Sequence, residues 1–106
     1  MRHMSATELN AYLAQSEPTP LLLDVREAWE YQICRLAGAR LVPMRHIPVA
    51  MSELDRERET VVICHHGIRS RQVAMFLEHH GFSNVINMEG GVAAWAQDVD
   101  PDMPTY

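Results

Sequence analysis

Val61-Val62-Ile63-Cys64-His65-His66-Gly67-Ile68-Arg69-Ser70 decides the reading of this chain. Three β-branched apolar residues in a row predict a short buried strand. The strand ends on a cysteine. A tight loop containing a glycine follows, and Arg69 and Ser70 lead into a helical pattern. A thiol placed there meets the amides of the loop and of the next helix. Those amides can hold the negative charge of a thiolate, or of a sulfur anion attached to it. Gly67 lets the loop turn its amides inward with no Cβ in the way. Only the thiolate of a cysteine attacks, so a loop that stabilises the anion makes Cys64 a candidate nucleophile.

Outward from that stretch the chain alternates between two periods. Ser5 and Glu8 form a capping box, and Ala6, Leu9 and Leu13 repeat at helical spacing until Glu17-Pro18-Thr19-Pro20. Leu21 to Val25 is an apolar run between breakers and predicts a strand. Glu27 to Ile33 predicts a short helix, and Gly38 to Val42 a second strand stopped by Pro43. Ile47 to Leu54 predicts another short helix. Asp55-Arg56-Glu57-Arg58-Glu59 is a solvated charge run. After the strand Thr60 to Ile63, Ser70 to His80 places Val73, Ala74 and Leu77 on one face, with Gly81 as its C′ residue. Asn84 to Asn87 predicts a strand and Val92 to Gln97 a last helix. Val99 to Tyr106 is an irregular tail.

Strands alternating with helices imply an α/β domain, with a mostly parallel sheet flanked by helices on both faces. Ligands of such sheets bind beyond the carboxyl ends of the strands. That rule gathers Asp24-Val25-Arg26, Met44-Arg45-His46, Cys64 to Arg69 and Met88-Glu89-Gly90 around one pocket, with Cys64 near its floor.

The bulk numbers bound the function. One hundred and six residues suit one domain, spanning 1–106. A net charge of −5 argues against nucleic acid or an anionic membrane as partner. No stretch reaches the roughly 18 apolar residues of a membrane span. The first residues hold no apolar leader, so the two cysteines are expected to be reduced thiols in the cytoplasm.

The remaining polar and aromatic residues have ordinary explanations. Three adjacent residues, Cys64, His65 and His66, cannot converge on one tetrahedral metal, so no metal site is expected. His65 and His66 are read as loop-lining groups that add positive charge when protonated. His79 and His80 suit a helix C-terminus. Cys34, Trp29, Trp95 and Phe76 are read as core. Arg45 and His46 are candidates for pocket lining.

The matching segments then accumulate: LLLDVREAWEY at 21–31, LAGARLVPM at 36–44, VVICHHGIRSRQVAMFLEHHGFSNVINMEGG at 61–91, and Trp95. In this order they resemble the single-domain, rhodanese-like sulfurtransferases. The resemblance implies a five-stranded sheet and a reaction without cofactor. In it Cys64 takes a sulfane sulfur from thiosulfate or a persulfide donor and passes it to a thiol or cyanide. It makes Cys64 the persulfide-bearing nucleophile and His65, His66, Gly67, Ile68 and Arg69 its cradle, with Arg69 neutralising an anionic donor. Asp24 and Arg26 match the family's Asp-x-Arg element as supports. Related phosphatases have a Cys-x5-Arg loop; Cys64 to Arg69 is one residue shorter, which fits a sulfur better than a phosphoryl group. Two further readings stand beside the enzyme. One is a persulfide carrier served by a protein donor or acceptor, and the other is an inactive binding module. Many relatives have Gly-His-Ile where this chain has Cys34-Arg35-Leu36.

Overall fold

β4 (Thr60–Ile63) is the centre of the molecule, and each of its residues is buried. The computed structural model describes residues 1–106. Along the chain the other elements are β1 (Arg2–Met4), α1 (Ala6–Gln15), β2 (Leu21–Asp24), α2 (Ala28–Ile33), β3 (Arg40–Leu41), α3 (Ile47–Ala50), α4 (Ile68–His79), β5 (Val85–Met88) and α5 (Gly91–Asp98). The five strands form one sheet in the order β1-β5-β4-β2-β3, and every pairing is parallel.

The side chains of β4 alternate between two apolar layers, as strand geometry requires. Val61 and Ile63 pack with Leu9, Ile86, Val92 and Ala96, on the side covered by α1 and α5. Val62 and Cys64 pack with Val73, Ala74, Leu77 and Phe82, on the side of α4. Burying each such aliphatic side chain stabilises the fold by about 1.5–3 kcal/mol relative to exposing it. The same alternation aims the Cys64 side chain toward the first turn of α4, and this is how the fold positions the site.

Several elements follow the sequence closely. The Ser5–Glu8 capping box is present: the Glu8 N–H donates to Ser5 Oγ at 3.1 Å, and the Ser5 N–H to Glu8 Oε1 at 3.0 Å. Gly81 has φ of +90° just past α4, and His80 Nδ1 lies 2.8 Å from the Phe76 carbonyl oxygen. Cys34 is buried, and Trp95 and Phe76 pack against the two core layers.

Other elements differ. The expected helix over 47–54 is only the four-residue α3, flanked by 3-10 turns at Met44–His46 and Met51–Glu53. β3 keeps two of the five residues expected at 38–42. α4 begins two residues early, at Ile68, because Gly67 adopts φ of +96° and turns the chain straight into the helix. Trp29 is not core: it is 59% exposed, with its ring edge-on to Tyr106 at 5.5 Å. β1 has no counterpart in the periodicity. Its three residues are mostly exposed and polar, and they become a strand by pairing with β5, His3 opposite Asn87. No helix is long and apolar enough to cross a membrane.

Candidate active site

Cys64 is 1% exposed, and two groups reach its sulfur. The Gly67 N–H donates to Sγ at 3.0 Å. The Cys64 S–H is within 3.4 Å of Ser70 Oγ, which accepts from it. The Ser70 hydroxyl proton is committed elsewhere, to Asn87 Oδ1 at 2.5 Å. Asn87 is itself buried, and its Nδ2 lies 3.5 Å from His3 Nδ1. Ile68, Arg69 and Ser70 form the first turn of α4, whose amides have no partner within the helix and carry its positive end. A sulfur anion at Cys64 therefore faces one directed amide and the positive end of a twelve-residue helix.

The loop is held from the β5–α5 side. The Val92 N–H donates to the Cys64 carbonyl at 2.9 Å, and the Ala93 N–H to the His65 carbonyl at 3.1 Å. This docking depends on Gly91. A Cβ there would lie 2.3 Å from both carbonyl oxygens, and φ is +59°. Gly91→Ala is thus expected to push α5 off the loop, at about 2–4 kcal/mol of stability. Sulfur loading of Cys64 should fall with it. Thermal unfolding beside a loading assay checks this; an alanine variant as stable and active as the wild type would contradict it.

A second set of charges surrounds Arg69. Its two terminal nitrogens donate to the two oxygens of Glu30, each at 2.8 Å. Glu30 is 3% exposed and also accepts from the Glu27 N–H at 2.9 Å and the Tyr106 hydroxyl at 2.8 Å. The Arg69 hydrogen bonds outweigh burial and hold the Glu30 carboxyl down at about 2, with help from Glu27 and Tyr106. Tyr106 is pushed up to about 12, chiefly by burial. Its ring stacks on His65, centroids 4.0 Å apart.

Asp24 and Arg26 lie beneath this set. Both side chains are fully buried, and Arg26 NH2 donates to Asp24 Oδ2 at 2.8 Å. Arg26 also donates to the Cys34 carbonyl at 2.6 Å and the Tyr106 hydroxyl at 3.0 Å. Burial opposes the Arg26 charge, but the hydrogen bonds to Asp24 and Tyr106 win, and its pKa is raised. None of the Arg26 hydrogen bonds goes to Cys64; the pair braces the end of α2 and Tyr106.

Cys64, His65, His66 and Gly67 form the loop and Ile68 and Arg69 the first turn of α4; of the residues after Cys64 expected as its cradle, Gly67 bonds to its sulfur, and two charge expectations change. Arg69 is already paired. His65 has its pKa lowered, by burial first and then by His66, with Arg69 and Arg26 adding to this against the Glu30 carboxylate, which disfavours the positive charge expected of it. Arg45 and His46 line a separate shallow depression with Val49 and Glu53, and Arg45 pairs with Glu27. Beside the loop runs a groove of ≈ 430 Å³, lined by His3, His66, Gly67, Arg71, Asn87 and Glu89 among others. Glu30 and Tyr106 were not anticipated. Glu30 carried one signal, an acid one helical turn after Arg26 on a short apolar helix. Tyr106 carried none.

The sequence and the fold both have counterparts among known proteins. The rhodanese-like domain family matches residues 5–98. A protein named sulfurtransferase from Allochromatium vinosum is 34% identical over 97 residues, covering 92% of this chain and 90% of that protein. The chloroplastic rhodanese-like/PpiC domain-containing protein 12 of Arabidopsis thaliana is 43% identical over 89 residues. That match covers 80% of this chain but only 30% of the relative's length. The crystal structure of a rhodanese-like domain protein from Staphylococcus aureus superposes with a TM-score of 0.82 at 32% identity, over 90% of this chain and 91% of that one. On fold and sequence together the chain belongs to the rhodanese-like domain family.

Proposed function

We propose that this chain is a sulfurtransferase that carries a sulfane sulfur as a persulfide on Cys64. The observation that carries the reading is the 3.0 Å hydrogen bond from the Gly67 amide to Cys64 Sγ, made where α4 begins. The Cys64 thiolate attacks the outer sulfur of the donor. With thiosulfate the S–S bond breaks, sulfite leaves with the electron pair, and Cys64–S–S⁻ remains. A thiol or cyanide then attacks the outer sulfur and restores the thiolate. The helix end and the loop amide favour the anion in both states. Asp24 and Arg26 serve as supports.

The pairing of Arg69 with Glu30 speaks against phosphoryl chemistry. A loop arginine that stabilises a phosphoryl group needs its fork free, and both terminal nitrogens of Arg69 are occupied. The same pairing favours a second reading, a carrier loaded by a partner's persulfide. Steady-state thiocyanate formation tests the first reading. The enzyme reading predicts saturation with both thiosulfate and cyanide and parallel double-reciprocal lines. No turnover, with fast loading from a protein-bound persulfide, would replace it by the carrier.

A further inference from the structure

We propose that Glu30 sets the donor class of this site, and that the preferred donors are alkyl persulfides of low charge rather than the thiosulfate dianion. The proposal rests on the sulfur-transfer reading of Cys64.

Charge placement decides between the donors. Arg69 is the only cationic side chain of the loop from Cys64 to Ser70 other than the two histidines. An anionic donor would need it. Glu30 engages both of its terminal nitrogens at 2.8 Å. The Glu30 side chain is only 4% exposed, against 34% for Arg69, so water screens the countercharge poorly. The carboxylate cannot swing aside to release the arginine. Glu27 N–H and the Tyr106 hydroxyl hold its two oxygens from other directions. The next cation, Arg26, is neutralised in the same way by Asp24. At the Cys64 sulfur itself, what remains for an incoming donor is the loop amide and the end of α4, which suffice for one sulfur anion. Arg71 and His66 line the neighbouring groove and make no bond to this sulfur, so a second charge is left uncompensated at the loop.

The two donors differ in that second charge. Thiosulfate brings two negative charges to a thiolate and leaves as sulfite. An alkyl persulfide, R–S–SH, gives Cys64–S–S⁻ and R–SH: the S–S bond breaks, the alkyl thiolate leaves with the electron pair, and it takes up the proton released by the transferred outer sulfur. Both transfers balance, and only the first needs an extra positive group at the mouth. Glu30 acts through Arg69 and is a positioning residue for specificity. Its removal should therefore raise the use of one donor rather than lower the use of both.

The test compares kcat/KM for thiosulfate and for cysteine persulfide in wild type, Glu30→Gln and Arg69→Gln. Glutamine keeps the size of Glu30 and can still accept from Tyr106. Glu30→Gln should raise kcat/KM for thiosulfate about tenfold, equivalent to about 1.4 kcal/mol, mainly through KM. The thiosulfate rate should also become more sensitive to salt. Arg69→Gln, at a partly exposed side chain, should lower thiosulfate use by a similar factor. Cysteine persulfide should change by less than about threefold in Glu30→Gln, and Arg69→Gln should cost thiosulfate more than it costs cysteine persulfide. Opposite signs for thiosulfate cannot come from mere structural damage, and a Glu30 variant that fails to fold leaves the Arg69 arm decisive. Equal changes for both donors, or a fall in thiosulfate use with Glu30→Gln, would overturn the proposal. Failure of wild type to load from either donor would instead overturn the sulfur-transfer reading.

Discussion

Cys64→Ser is expected to abolish sulfur transfer, by at least about 10³-fold, and to leave the fold in place. A serine oxygen can still accept from the Gly67 amide, so the loop keeps its directed bond. It is also small enough for the space among Val62, Val73 and Ala74. What it cannot do is accept a sulfane sulfur as a stable anion, and its hydroxyl is a weak nucleophile without a base beside it. No histidine or carboxylate bonds to the Cys64 position; its polar neighbours are Gly67 and Ser70. Thiocyanate formation and thermal unfolding of the two proteins check both halves. Full activity in the serine variant would remove Cys64 from the chemistry.

Arg26→Met is expected to cost about 3–5 kcal/mol of stability. That is a large share of the about 5–15 kcal/mol typical of a domain. The guanidinium and the Asp24 carboxylate are both fully buried, so methionine leaves a bare charge in the interior. It also leaves the Cys34 carbonyl without its 2.6 Å donor. Replacing both members, Asp24→Asn with Arg26→Met, removes the bare charge and should recover part of the loss. Urea unfolding of the three proteins measures this. A single-variant loss below about 1 kcal/mol would show that the buried pair contributes little.

Cys64 and its loop were legible because their signals are local. A β-branched run, a cysteine, a glycine three residues on and a helical pattern occupy ten consecutive positions. The Ser5–Glu8 box is local in the same way, and both of its hydrogen bonds are present. β1 was not legible, since Arg-His-Met has neither alternation nor β propensity and owes its form to pairing with β5. Charge state was the other blind spot. Arg69 could be placed on the loop from its spacing, but its partner Glu30 stands 39 residues away in sequence. Tyr106 is 76 residues from Glu30, and only closure of the chain brings it onto His65. Trp29 misled for a related reason. A tryptophan on a short helix reads as core, whereas here Tyr106 covers only an edge of it.

The most direct test of the account is intact mass after incubation with thiosulfate or cysteine persulfide, wild type beside Cys64→Ser. A persulfide on Cys64 predicts a gain of one sulfur atom in the wild type alone, removed by cyanide. An equal gain in the serine variant, or none with either donor in folded wild-type protein, would contradict a persulfide on Cys64.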